Sequence, residues 1–249
     1  MGEKPEDSGP LLRLEDLSFA YPGGSTPILD SLSLTLQSGE RLGLIGPNGS
    51  GKTTFFHIIV GLLKPQSGTV RFKGKPLIEE KDFRLLRKEV GLLFQDADDQ
   101  LFSPTVLDDV AFGPLNLGLS VSDARARAEQ TLATLGLTGY EQRLTHHLSG
   151  GEKKLVALAT ILAMQPSVLL LDEPTNDLDS ATRAHLIRII NTLSLASVII
   201  SHDWDFLAAT CTTIYGLKGG RVEISDELTP HAHRHAHPHG EHPHRHEDD

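Results

Sequence analysis

The 249-residue chain is poor in cysteine, tryptophan and methionine, with one, one and two of each, and only 5% of its residues are aromatic. The single cysteine, Cys211, cannot close an internal disulfide; this fits a reducing compartment and reads as a packed small side chain rather than a reactive thiol. Basic residues are also scarce, since 23 Lys and Arg stand against 33 Asp and Glu, a formal charge of -10 with histidine neutral. Without a clustered Lys/Arg run, that balance argues against nucleic-acid binding by phosphate neutralisation. No uninterrupted apolar run is long enough to span a bilayer, and residues 1–10 are polar, acidic and proline-bearing, unlike a signal peptide. Any membrane role is therefore expected to come through a partner. What is present is an apolar fraction of 39%, enough at this length for one large domain or two small ones.

Four short apolar runs read as strands: RLGLIG at 41–46, VGLLF at 90–94, SVLLLD at 167–172 and SVIIS at 197–201. They lack polar alternation, as expected of strands covered on both faces in a mainly parallel sheet. Helical patterns lie between them in TTFFHIIVGLL, in 122–135, in EKKLVALATILA and in 180–193, which places the chain in the α/β class. Each strand ends in polar residues: GPNGSGKT after the first, Gln95 after the second, Asp172 and Glu173 at the third, His202 after the fourth. Open α/β sheets bind ligands beyond the carboxyl ends of their strands, so four such ends describe one site.

GPNGSGKT comprises Gly46, Pro47, Asn48, Gly49, Ser50, Gly51, Lys52 and Thr53, followed by Thr54, and matches a phosphate-binding loop between a strand and a helix. Its glycines let successive N–H groups turn inward around phosphate oxygens, and the helix beginning near Lys52 adds its positive N-terminal end. Lys52 is expected to neutralise the β- and γ-phosphates of ATP, and Thr53 to give its hydroxyl to Mg²⁺. Asp172 stands where a direct or indirect Mg²⁺ ligand is needed, and Glu173 where an attacking water can be oriented or deprotonated. Taken alone, this acidic pair reads better as solvated residues at the end of a buried strand, and His202 as a surface histidine; beside the phosphate loop, Asp172 reads as a metal ligand and Glu173 and His202 as catalytic.

LSGGEKK, residues 148–154, opens a strongly apolar helix. Ser149 and Glu152 are spaced as a capping box. Gly150 and Gly151 are an expensive choice for a mere cap, since glycine costs roughly 1 kcal/mol relative to alanine inside a helix. They suggest close approach of the backbone to something else. Together with LLLDEPTNDLD about twenty residues on, the stretch resembles the signature motif and hydrolytic strand of ATP-binding-cassette ATPases, with Glu152 where glutamine is usual.

The resemblance covers residues 11–226. It implies a P-loop fold with an antiparallel β subdomain and a helical signature subdomain at about 96–160. Tyr21 becomes the adenine-stacking aromatic, although sharing a strand face with Leu17 and Phe19 would also suit a core residue. Gln95 becomes the Q-loop glutamine, joining Thr53 and Asp172 around Mg²⁺, Asp179 the D-loop aspartate and His202 the switch histidine. The family works as a head-to-tail dimer, here a homodimer, with ATP held between the phosphate loop of one copy and Ser149, Gly150, Gly151 and Glu152 of the other. Leu155 departs from the arginine common at that position.

The stretch FQDADDQLFSPTVLDDVAFGPLNLGLS, residues 94–120, is similar to the ATPases of energy-coupling-factor importers, especially the cobalt and nickel branch. That similarity implies a transmembrane coupling subunit, a substrate-binding membrane subunit and a place on the cytoplasmic face of the membrane. Phe102, Pro104, Val106 and Phe112 become candidates for a partner-facing groove, Phe112 being equally suited to the core. Competing readings are an ATPase of the same class in DNA repair or translation, an importer ATPase for a vitamin cargo, and a metal store with a regulatory nucleotide site.

The chain closes with His231, His233, His235, His237, His239, His242, His244 and His246 spread among Pro, Arg and acids over 227–249. This composition cannot pack a core and reads as a flexible tail, as do residues 1–10. Imidazoles suit Ni²⁺ or Co²⁺ without selecting between them, so the tail reads as a collector or buffer for delivered metal. His146 and His147 read as exposed loop residues rather than ligands.

Overall fold

The computed structural model describes residues 9–24 and 26–224; the eight tail histidines and residues 1–8 lie outside them. In chain order the elements are β1 (Leu12–Phe19), β2 (Leu29–Leu36), β3 (Arg41–Ile45), α1 (Lys52–Ile59), β4 (Ser67–Phe72), β5 (Lys75–Pro76), α2 (Glu80–Leu86) and β6 (Val90–Leu93). Then come α3 (Val106–Asn116), α4 (Val121–Thr134), α5 (Gly150–Leu162), β7 (Val168–Asp172), α6 (Ser180–Thr192), β8 (Ala196–Ile200), α7 (Trp204–Thr210), β9 (Thr213–Lys218) and β10 (Arg221–Ile224).

The strands form two sheets. One is antiparallel in the order β2-β1-β4-β5; the other runs β10-β9-β3-β8-β7-β6, parallel except for the β9–β10 pair. The four strands expected from apolar runs are β3, β6, β7 and β8, adjacent members of the second sheet apart from the order in which the chain visits them. Both faces of β7 are covered: Val168 and Leu170 join the core shared with the antiparallel sheet and α1, while Leu169 and Leu171 join the core beneath α3, α4 and α5. That explains the missing alternation. Phe55 and Phe56 of α1 are fully buried in the first core, each contributing on the order of 2 kcal/mol.

The antiparallel sheet does alternate. Leu12, Leu14, Leu17 and Phe19 of β1 are buried, but the step from 14 to 17 breaks the period of two. A register shift between Leu14 and Leu17 absorbs the extra residue, with Asp16 at φ 52°, and restores the apolar face. The helix expected to run through TTFFHIIVGLL stops at Ile59, because Gly61 takes φ 74° and Leu62 N–H returns to the His57 carbonyl.

The helical layer α3–α5 packs on the β6 side of the second sheet. Val106, expected on a partner-facing groove, is fully buried in that layer, so it serves the core instead. Leu155 is also buried there, which explains why an apolar residue suits its position. Cys211 is packed beside Leu207 and Gly43, and burial pushes its thiol pKa up to about 11. No helix of the described residues is long and apolar enough to cross a membrane.

Candidate active site

β3 delivers the chain to Gly46, and the turn closes with Ser50 N–H donating to the Pro47 carbonyl before α1 begins at Lys52. Gly51, at the helix N-cap, has φ 100°, and a Cβ there would lie 2.7 Å from Ile28 Cγ2. Only glycine fits this turn. The amides of Lys52, Thr53 and Thr54 open the helix and carry its positive end into a cavity of about 480 Å³. Asn48, Gly49, Gly51, Lys52, Thr53 and Thr54 line that cavity with Tyr21, Gln95, Asp172, Glu173 and His202. Gly46, Pro47 and Ser50 sit behind it, and the Gly46 and Pro47 carbonyls accept from Lys52 Nζ at 2.7 and 3.1 Å.

Thus the four strand ends do converge. At the end of β7, Asp172 is buried and accepts from the Thr53 hydroxyl at 2.8 Å. Burial pushes its carboxyl pKa above the usual range, against the Thr53 hydrogen bond and the Lys52 charge. Burial holds the Lys52 ammonium below its ordinary value, opposed by Glu173 and Asp172. Thr53, Asp172 and the Gln95 lining give an oxygen-donor set suited to Mg²⁺, with the phosphate loop beside it, so the residues present fit that cofactor.

Glu173 is only 4% exposed and has φ 45°, an uncommon conformation for a glutamate. Its N–H bonds the Ile200 carbonyl of β8, which holds the twist. One carboxylate oxygen, Oε2, accepts from His202 N–H at 3.2 Å; the other, Oε1, is buried without a hydrogen-bond partner, although His202 Nε2 lies 3.2 Å away. His202 Nε2 is also 3.4 Å from Lys52 Nζ. That nitrogen can accept from Lys52 or donate to Glu173, not both, so the imidazole proton can be placed on either side.

Tyr21 lies beyond β1, 46% exposed, with its ring edge-on to Phe19 and its hydroxyl 3.0 Å from Thr54 Oγ1. It is exposed and lines the cavity, so a core role does not hold. Asn176 and Ile28 also line the cavity and were not read from the sequence. Asn176 falls inside the quoted LLLDEPTNDLD; Ile28 carries no local signal.

Ser149, Gly150, Gly151 and Glu152 do not line this cavity. The capping box is formed: Ser149 Oγ accepts from Glu152 N–H, and Glu152 Oε2 accepts from Ser149 N–H at 2.7 Å. Glu152 Oε1 also accepts from Arg143 Nη1 and the Tyr140 hydroxyl, each at 2.8 Å. Arg143 is the first cause of a carboxyl pKa lowered to about 2. A glutamine could not accept all of these bonds, so Glu152 goes with Arg143. The two glycines differ: a Cβ on Gly151 would meet Thr182 Cγ2 at 3.2 Å, whereas one on Gly150 would meet nothing within 4 Å. Packing on α6 accounts for Gly151, and nothing among the described residues accounts for Gly150. Asp179 caps α6, accepting from Ala181 and Thr182 N–H at 2.9 Å. His146 and His147 are exposed.

A second, more apolar cavity of about 310 Å³ lies between β6 and α3, lined by Leu62, Phe102, Phe112 and Met164 among others. Phe102 and Phe112 meet edge-on at 4.8 Å and are both exposed, while Pro104 lies outside the groove.

The family model for ABC transporters matches residues 29–176. The chain belongs to the ABC transporter family of ATPases. It is 46% identical over 224 residues to the energy-coupling factor transporter ATP-binding protein EcfA of Methanothermobacter thermautotrophicus, covering 88% of this chain and 71% of that one. It is likewise 46% identical over 217 residues to the cobalt import ATP-binding protein CbiO of Rhodobacter capsulatus, covering 86% and 77%. Among solved structures, cbiO1 of Clostridium perfringens, part of the transporter complex cbiONQ, superposes with a TM-score of 0.79 at 36% identity over 87% of this chain and 88% of that one. A dimeric cassette, MJ0796, in a post-hydrolysis state with ADP and Pi, gives 0.78 at 28% identity over 85% and 96%. The chain is therefore an ATP-binding subunit of energy-coupling-factor type, an ATPase coupled to transport. ATPases of this family bind ATP with Mg²⁺ and work as dimers with membrane subunits.

Proposed function

We propose that this subunit energises uptake of a transition-metal ion, nickel or cobalt, by hydrolysing ATP at two identical sites in a head-to-tail homodimer. The observation that carries the catalytic reading is the orphaned Glu173 Oε1, buried at the wall of the cavity into which the phosphate loop opens. The Lys52 turn wraps the triphosphate, and Tyr21 stacks on the adenine. Thr53, Gln95 and Asp172 would hold Mg²⁺, which would supply charge neutralisation at the phosphate oxygens. Glu173 Oε1 takes the proton of the attacking water, and His202 shares that proton across its 3.2 Å contact. The open Gly150 face, with the Gly150 and Gly151 N–H groups that the capping box leaves free, meets the γ-phosphate held by the second copy, while Asp179 belongs to the same contact. Glu152 acts by holding that turn in shape. We read residues 11–226 as the ATPase domain and about 96–160 as its helical part.

The Phe102–Phe112 groove suits a coupling segment of the membrane subunit. Asp109, at the groove wall, keeps Oδ2 buried and unpartnered, so a donor-bearing side chain of that segment would satisfy it. A cobalt importer among the relatives and the histidine tail support the metal cargo. With the substrate-binding membrane subunit the assembly would place this chain at the cytoplasmic face of the membrane, where the tail collects the delivered ion. Elemental analysis of ion taken up by vesicles carrying the intact complex distinguishes nickel from cobalt, and uptake of neither rejects the cargo. For the chemistry, Glu173→Gln is expected to bind ATP and dimerise while turnover falls about 10²- to 10⁴-fold; normal turnover would remove Glu173 from the mechanism.

A further inference from the structure

The loop that carries Gln95 is fastened to α5 at three points. Gln100 Nε2 donates to the Ala157 carbonyl and Thr160 Oγ1, both at 2.8 Å, while its Oε1 accepts from Phe94 N–H at 3.3 Å. At the surface, Lys153 Nζ pairs with Asp98 at 2.6 Å. Between them Lys154 Nζ donates to the main-chain carbonyl of Gln95 itself at 2.5 Å.

Lys154 is the unusual member. Its side chain is buried, at 4% exposure, and an ammonium taken out of water costs several kcal/mol unless it is well compensated. Burial lowers its pKa, and the carboxylates of Asp96, Asp177, Asp172 and Glu173 pull it back up. A methionine would fill similar space without that desolvation. The charge therefore serves something other than packing. Lys154 and Gly150 are four residues apart, on one face of α5, and both line a cavity of about 520 Å³ together with Gln95 and Asp172. Lys154 reaches the Gln95 carbonyl, and one turn earlier Gly150 stands open, with nothing within 4 Å of where a Cβ would lie.

We propose that Lys154 is a positioning residue that ties the Gln95 loop to the Ser149–Gly151 turn, so that the glutamine's engagement at one nucleotide sets the turn offered to the other. The inference rests on the two-copy reading above. Loop and helix then move as one body, and the ammonium keeps the loop in reach of the carboxylates at the end of β7.

The test uses Glu173→Gln protein, full length, with Lys154 intact or replaced, reading ATP-driven dimerisation by sedimentation and monomer ATP affinity with a fluorescent analogue. Lys154→Met is expected to weaken ATP-driven dimerisation about tenfold or more while monomer ATP affinity stays within about twofold, and Lys154→Arg to recover most of the loss. Equal dimerisation of Lys154→Met and the Lys154-intact protein overturns the proposal. So does a loss of ATP affinity in proportion to the loss of dimer. Should Lys154→Met not fold, Asp98→Asn, at an exposed fastening, is expected to weaken dimerisation about twofold, and no change there overturns the proposal. If the Lys154-intact protein itself fails to dimerise with ATP, the two-copy reading fails instead.

Discussion

Two helix N-termini dominate this molecule, and they are prepared in opposite ways. The one at Lys52 is enclosed: Ile28 presses on Gly51, Asp172 holds Thr53, and Glu173 and His202 arrive from two other strands. The one at Gly150 is self-sufficient: its cap, the Glu152 carboxylate and the Arg143 and Tyr140 donors all come from residues 140–152, and its outer face is bare. An enclosed terminus is a binding site already built. A terminus that is rigid yet bare among the described residues suits a surface brought by a second copy, as the proposed dimer requires.

Substitutions at the two glycines give the sharpest way to break this comparison. Gly51→Ala puts a Cβ against Ile28 at φ 100°, so both thermal stability and ATP binding are expected to fall, stability by about 1 kcal/mol or more. Gly150→Ala meets nothing, so the melting temperature is expected to hold or rise while ATP turnover drops about tenfold or more. If Gly150→Ala kept full turnover, the bare face would have no role in the reaction.

The next effect is smaller and depends on pH. Glu152 has a folded pKa of about 2, below its ordinary 4.5, so its stabilising contribution is present above pH 4.5 and is lost as pH falls toward 2. The difference in thermal midpoint between the native chain and Glu152→Ala should therefore shrink across that window, and a difference constant from pH 7 to 2 would reject the Arg143 pairing as its source. The smallest expected effect on hydrolysis comes from deleting residues 231–249, which should leave Mg²⁺-dependent turnover within about twofold while removing Ni²⁺ and Co²⁺ binding by the free subunit. Loss of turnover with the tail would mean that the tail and the nucleotide site are one device.

Legibility in the sequence followed the range of the interactions. GPNGSGKT, LLLDEP and LSGGE were readable because their chemistry is set by neighbours within about ten residues: a turn, a strand end, a capping box. The sheet strands β3, β6, β7 and β8 were readable because burial on both faces leaves unbroken apolar runs. The antiparallel strands were harder, since the period of β1 is broken at Asp16 and that of β2 at Ser31, and β2 contains more serine and threonine than a core strand suggests. Val106 was misplaced for a related reason: a valine near exposed phenylalanines gives no local sign of which way it faces. Lys154 was passed over inside a motif where any basic residue reads as solvated, and only the fold shows it turned inward to the Gln95 carbonyl.

What the amino-acid order alone determined here is the chemistry available at each strand end, because glycine geometry, helix capping and carboxylate identity are properties of short segments. Which ends meet was decided by the sheet order β3-β8-β7-β6, which sets Lys52, His202, Glu173 and Gln95 side by side although as many as 150 residues separate two of them. Long-range strand pairing places them so, and no local interaction carries that information.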